Sequence, residues 1–171
     1  MLWIVCVAIF SVAASSAATD EEHINSLVVS KVVPFQRAYS RRYIHHLYYI
    51  NSRRLPTSYY YEGSEGNVLP YSEYLENKVI IDYFCPELKV MHVSYKGNKQ
   101  HISATPIKNG EMMMVSTKEG YCGANKAMYY VKSLPHIDDV FYTSKRDKFE
   151  LTKRSNTFYK GTEGGVAFYV W

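Results

Sequence analysis

The 171-residue chain has no Asn-x-Ser/Thr triplet, so N-glycosylation is not expected. It also has no Gly-x-Ser-x-Gly and no papain-like cysteine setting, which removes the usual signatures of a nucleophilic hydrolase. The Gly161 to Gly165 segment leads toward a strand and lacks the lysine of a phosphate-binding loop. There is neither an internal repeat nor a low-complexity linker. Six histidines are present, but they do not form a ligand-spaced set, and no metal site or cofactor is expected. His92 and His101 lack good zinc-binding neighbours, since Ser94, Ser103 and Met114 surround them. The adjacent His45 and His46 point apart on any regular element.

The chain opens with an apolar run from Leu2 to Ala14 and then the small residues Ala13 to Ala18. The run falls short of the roughly 20 residues a bilayer span needs, and Ser15/Ala17 or Ser16/Ala18 fit a cleavage site. Residues 1–18 therefore read as a secretory signal peptide, and residues 19–171 as one extracellular domain with no membrane span. Of three cysteines, Cys6 leaves with the signal. Cys85 and Cys122 remain, and in an oxidising compartment one disulfide is expected, with two free thiols as the alternative. Closing that loop adds about 3.5–4 kcal/mol by chain entropy.

The formal charge of +4 is mild and does not by itself argue for nucleic acid. Seventeen tyrosines stand against two tryptophans and seven phenylalanines, which suits half-buried strands or a recognition surface.

Thr19 and Glu22 form a helix-start pattern, and Ile24, Leu27 and Val28 follow at helical spacing. After Pro34, residues Gln36 to Asn51 read as a second helix, although Tyr43 to Ile50 is also rich in strand formers and a strand stays open. The tract Arg53 to Glu76 is irregular, a strand plus a mobile loop. Lys78 to Cys85 reads as a strand with Val79, Ile81, Tyr83 and Cys85 on one face.

The stretch from Cys85 to Cys122 reads as a meander. A turn at Gly97-Asn98 places Lys96 opposite Lys99, Val93 opposite Ile102 and Met91 opposite Ala104. A type I′ turn at Asn109-Gly110 places Lys108 opposite Glu111 and Ala104 opposite Val115. Together they put Met91, Val93, Tyr95, Ile102, Ala104, Pro106, Met113 and Val115 on a core face. Pro106 marks an edge or a bulge. Met128 to Val131, Val140 to Ser144, Phe149 to Thr152 and Val166 to Trp171 complete about eight or nine strands. The fold class is thus mainly β, an antiparallel barrel or sandwich with an N-terminal helical segment.

Two binding surfaces follow. If the sheet closes, Tyr83, Met91, Val93, Tyr95, Ile102, Met113 and Val115 would line a cavity for one small ligand. Alternatively Arg37, Arg41, Arg42, Arg53 and Arg54, interleaved with tyrosines, form a basic surface for an extracellular protein or a polyanionic glycan. A hydrolase using acids such as Asp82, Glu87, Asp138 and Asp139 stays open, although Asp138-Asp139 reads as a solvated turn after Pro135.

Asp139-Val140-Phe141-Tyr142-Thr143-Ser144, then Phe149-Glu150-Leu151 and the terminal Phe168-Tyr169-Val170-Trp171, resemble the late strands of secreted lipocalins, particularly the salivary lipocalins of ticks. No Gly-x-Trp opens the mature chain, and no cysteine stands near Phe149. The resemblance implies an eight-stranded barrel that carries small hydrophobic molecules or amines. The expected function is non-enzymatic binding of such a ligand.

Overall fold

Helical residues 22–31 (α1) bury Ile24 and Val28, and the chain then turns into strands. A computed structural model describes residues 22–50, 54–96, 99–105 and 110–171, with only the backbone of 94–96 and 99. The expected signal segment, the expected Thr19 cap, Arg53, the expected turn at Gly97-Asn98, Pro106, Lys108, Asn109 and the Tyr95 side chain lie outside that description. No helix among the described residues is long and apolar enough to cross a membrane.

Among the described residues nine strands follow in two antiparallel sheets. The first holds β1 (Val33–Ser40), β2 (His45–Ile50), β3 (Tyr60–Pro70), β4 (Lys89–Lys96), β5 (Lys99–Ser103) and β6 (Glu111–Val115), in the order β2-β1-β3-β6-β4-β5. The second holds β7 (Lys126–Lys132), β8 (Val140–Thr143) and β9 (Gly164–Val170), in the order β8-β7-β9. Helices α2 (Tyr71–Glu76) and α3 (Lys78–Phe84) connect β3 to β4, and α4 (Arg146–Ser155) connects β8 to β9.

Over residues 36–50 the expected helix is instead the β1–β2 hairpin, paired from Phe35↔Ile50 to Ser40↔His45, with the strand left open for Tyr43 to Ile50 present as β2. All six residues of β2 are buried. A strand covered on both faces loses the period-two alternation that would announce it, and its apolar spacing then imitates a helix.

Two expected strands are helices. Lys78 to Phe84 forms α3, which buries Ile81 and leaves Val79 (85%) and Tyr83 (79%) exposed. The Phe149 to Thr152 strand lies inside α4. There Phe149 packs inward, Asp147 stands in the first turn and Lys153 and Arg154 in the last, as the helix dipole favours.

The β4–β5 register is as expected, with Val93↔Ile102 and Lys96↔Lys99. The β6 strand is not. It lies on the other flank of β4, pairing Met91↔Met113 and Lys89↔Val115, so Ala104 does not oppose Val115. The expected face survives this change of neighbour at Met91, Val93, Ile102, Met113 and Val115, because residues directly opposite in either ladder share a face, whereas Ala104 lies past the end of β5 and is exposed. Val93, Ile102, Met113 and Val115 are buried in the main core, with Met91 against it.

That core is a filled sandwich. Phe35, Tyr48 and Val68 from the first sheet meet Met128, Tyr142, Phe168 and Val170 from the second. The sheets join where Ser116 bridges Tyr169 and where Asn67 and Trp171 exchange backbone bonds of 2.7 and 2.9 Å. No closed ladder is found among the described residues. The edge strands β2 and β5 instead meet through a side chain: Gln100 accepts from the Tyr48 backbone N–H and donates to its carbonyl at 2.5 Å.

A second core lies under α1–α3, where Ile24, Val28, Tyr74, Ile81 and Trp171 gather. The Cys85–Cys122 disulfide, with a Cα separation of 6.1 Å, ties α3 to the turn before β7.

Candidate functional site

Strand β3 carries the sequence Glu62-Gly63-Ser64-Glu65-Gly66, and it pairs irregularly with β1. Gln36 opposes Ser64 and Phe35 opposes Gly66, so Glu65 has no opposite residue. Arg37 opposes Gly63 and Ala38 opposes Tyr61, so Glu62 has none either. Each is the extra residue of a β-bulge. The glycine after each adopts a positive φ, +127° at Gly63 and +149° at Gly66, a region a side chain disfavours. In a regular strand, positions 62 and 65 would face opposite sides of the sheet. The bulges bring both carboxylates to one guanidinium.

That guanidinium is Arg37, only 2% exposed. Its Nε donates to Glu62 Oε2 at 2.7 Å, and its Nη1 pairs with Glu65 and donates to the Tyr142 carbonyl at 3.1 Å. Glu65 also accepts from the Thr143 hydroxyl at 3.0 Å and the Ser144 backbone N–H at 2.7 Å. A buried charge is tolerable when its donors and acceptors are met in this way.

Beside this knot stands His46 on β2. Its Nδ1 lies 2.8 Å from Asp139 Oδ2, and its backbone N–H donates to Asp139 Oδ1 at 3.2 Å. The Tyr159 hydroxyl also donates to Asp139. Asp139 is placed by a loop in which Ser133 N–H donates to the Asp139 carbonyl at 2.8 Å and Asp139 N–H donates to Ser133 Oγ at 2.7 Å. The loop is tied to the segment after α4 by Leu134 N–H donating to the Phe158 carbonyl at 2.8 Å, which brings Tyr159 to the carboxylate. Burial works against ionisation of Asp139, but the hydrogen bonds from His46 and Tyr159 outweigh it and hold its carboxyl below the ordinary value. Burial, then the Asp139 charge, pushes the Tyr159 hydroxyl up.

Tyr39, His46, Glu62, Phe141, Lys148, Thr152, Asn156, Phe158 and Tyr159 enclose an open cleft of about 250 Å³ between β1–β3 and α4. Glu62 Oε2 lies 3.7 Å from His46 Nε2. Arg37 Cζ is 4.9 Å and Lys148 Nζ 5.6 Å from the centre of the Phe141 ring. Burial and then the nearby Arg37 charge lower the Lys148 ammonium below its ordinary value.

Of the residues expected to bind a small ligand, Met91 and Ile102 line a separate groove of about 340 Å³ between the sheets, with Tyr130, Val140, Ala167 and Phe168. Val93, Met113 and Val115 are sealed in the core. Tyr83 is on the outer face of α3, because its segment is helical rather than extended. Of the basic set, Arg41, Arg42 and Arg54 are exposed. Arg37 is not a surface residue, since Glu62 and Glu65 draw it inward.

Asp139 also departs from expectation, being 3% exposed instead of sitting in a solvated turn. His45 and His46 do diverge: His45 Nδ1 lies 2.9 Å from the Tyr59 hydroxyl, on the opposite face from Asp139. The Glu-Gly-Ser-Glu-Gly tract was the readable signal for the site, since paired Glu-Gly steps fit successive bulges better than a mobile loop.

No protein-family model matches the chain, and no curated protein or solved structure matches it. Its chemistry rests on these side chains alone.

Proposed function

We propose that this is an extracellular binding protein that holds one small, hydrophobic or amine ligand, and that its seat is the cleft of Tyr39, His46, Glu62, Phe141 and Tyr159. The observation that supports this reading most is the preorganisation of the polar groups. Arg37 orients Glu62, and Asp139 orients His46, before any ligand arrives. Around them stand aromatic walls, the usual composition of a small-molecule site. Secretion rests on the apolar leader and on the disulfide between Cys85 and Cys122.

A second seat is the groove of Met91, Ile102 and Phe168, which is apolar and opens between the sheets. One experiment separates the two. Saturable uptake of the neutral fluorescent probe N-phenyl-1-naphthylamine is expected for the native chain. It should be lost in Thr152→Trp, which fills the cleft, and kept in Ala167→Trp, which fills the groove. The reverse pattern moves the ligand to the groove. Absence of uptake by the native chain sinks the reading.

A further inference from the structure

We infer that the ligand of the His46 cleft is an uncharged aromatic molecule with a hydrogen-bond donor on its ring, a phenol in the simplest case, held by the paired acceptors His46 Nε2 and Glu62 Oε2. The inference rests on the proposed small-ligand reading of this cleft and names the chemistry of the ligand.

Three observations lead to it. The first is a surplus of acceptors. His46 Nδ1 lies 2.8 Å from Asp139 Oδ2, and in the tautomer that donates from Nδ1 to that carboxylate the ring presents a lone pair at Nε2. Across 3.7 Å stands Glu62 Oε2, a carboxylate oxygen whose other donor is Arg37 Nε at 2.7 Å. Two acceptors face each other, and a hydroxyl hydrogen placed between them serves both.

The second observation is that both signs of charge are already present. The Phe141 ring has Arg37 at 4.9 Å and Lys148 at 5.6 Å. Burial and Arg37 act against the Lys148 charge while Glu62 and Glu65 favour it, and an ammonium at the Phe141 face would stand beside the two cations already there. An added anion would meet Glu62, with Glu65 and Asp139 behind it. A neutral donor avoids both penalties.

The third is shape. Tyr39, Phe141, Phe158 and Tyr159 present rings around about 250 Å³. A cavity of about 150 Å³ already admits benzene, so this space suits one substituted ring. Aromatic walls favour a flat partner that stacks or meets them edge to face.

The test is calorimetric titration of the native chain at pH 8 with 4-ethylphenol, 4-ethylanisole and phenethylammonium. These share a ring and differ in the donor and the charge. The phenol should bind about tenfold more tightly than its methyl ether, the value of one well-made hydrogen bond in a partly buried site. Phenethylammonium should bind more weakly than the phenol. Glu62→Gln and His46→Leu should each remove most of the phenol's advantage, read as the ratio of phenol to ether affinity within each variant. His46 is buried against Asp139, so if His46→Leu loses its cooperative thermal transition, the half-exposed Glu62 variant decides alone.

An ether that binds within about twofold of the phenol, or an ammonium that binds more tightly, overturns the donor inference and leaves the cleft as a ligand site. No binding by any of the three at millimolar concentration overturns both.

Discussion

Strands β3 and β4 lie in the same sheet and use opposite devices. In β4 the pairing is regular on both flanks, and alternate side chains such as Met91 and Val93 turn to the core. In β3 the pairing breaks twice within four residues, and the side chains released from register are acidic. The regular strand contributes apolar area, which tolerates changes of shape if volume is kept. The bulged strand contributes geometry, fixing two carboxylates on one buried arginine, and geometry of that kind has few substitutes. Stability in β4 is a matter of bulk; in β3 it depends on each partner being present.

The comparison breaks most sharply at Arg37. Replacing it with Met leaves Glu65 buried without its cation, and a loss of about 3–5 kcal/mol is expected in chemical denaturation. Arg37→Lys should recover little, because an ammonium cannot reproduce a fork that meets Glu62, Glu65 and the Tyr142 carbonyl together. In β6, by contrast, Met113→Leu should cost less than about 1.5 kcal/mol. If Arg37→Lys proves as mild as Met113→Leu, the distinction falls between the bulged β3 with its arginine on β1 and the regular ladder of β4 with β6.

The next largest effect is expected at the bulge glycines. A Cβ on Gly66 would lie 2.6 Å from Val170 Cγ2 and 3.3 Å from the Trp171 carbonyl, at a φ of +149°. Gly66→Ala should cost about 2–3 kcal/mol by combined overpacking and strain. Gly63, at φ +127°, has nothing within 4 Å of that position, so Gly63→Ala should cost only its backbone share, about 1 kcal/mol. Equal melting temperatures for the two variants would show that packing at Val170 is not what holds the second bulge.

The smallest effect concerns acid. The Asp139 carboxyl is held below its ordinary value, so its ionisation stabilises the fold fully above the ordinary carboxylate range. That contribution is lost as pH falls through the depressed folded-state value. Asp139→Asn should therefore be about 1–2 kcal/mol less stable than the native chain at pH 7, and the gap should close below about pH 4. Urea midpoints across that range check the sign. A gap that widens in acid would contradict an ionised Asp139 beside His46.

Legibility in the sequence followed the same division. The β4–β5 register and its core face were readable because alternation and a short turn signal come from adjacent residues. The terminal strand was readable from its own alternation, and the Cys85–Cys122 bridge because two cysteines remain once Cys6 is set aside with the leader. The position of β6 was not, because which flank of β4 it takes depends on the route of the connection. Strand β2 was hidden by burial on both faces. Helix α3 was hidden by β-branched residues that face solvent without contributing to packing. The site itself joins His46 to Asp139 and Arg37 to Tyr142, pairs 93 and 105 positions apart in the chain, and no local pattern encodes such distances.

Gln100 has a consequence of a different kind. A free strand edge invites another chain to lie down beside it, and proteins usually blunt such edges with charge or proline. Here the amide of Gln100 occupies both the N–H and the carbonyl of Tyr48 at the margin of β2, as a passing strand would. The molecule thus plugs its own edge with a side chain that imitates a peptide group. At Tyr48, resistance to strand addition depends on the amide staying an amide. Slow deamidation of Gln100 would replace a donor with a carboxylate facing the Tyr48 carbonyl, opening that one position while Asp139 and Glu111 still hold the His46 and Ile50 N–H groups on either side.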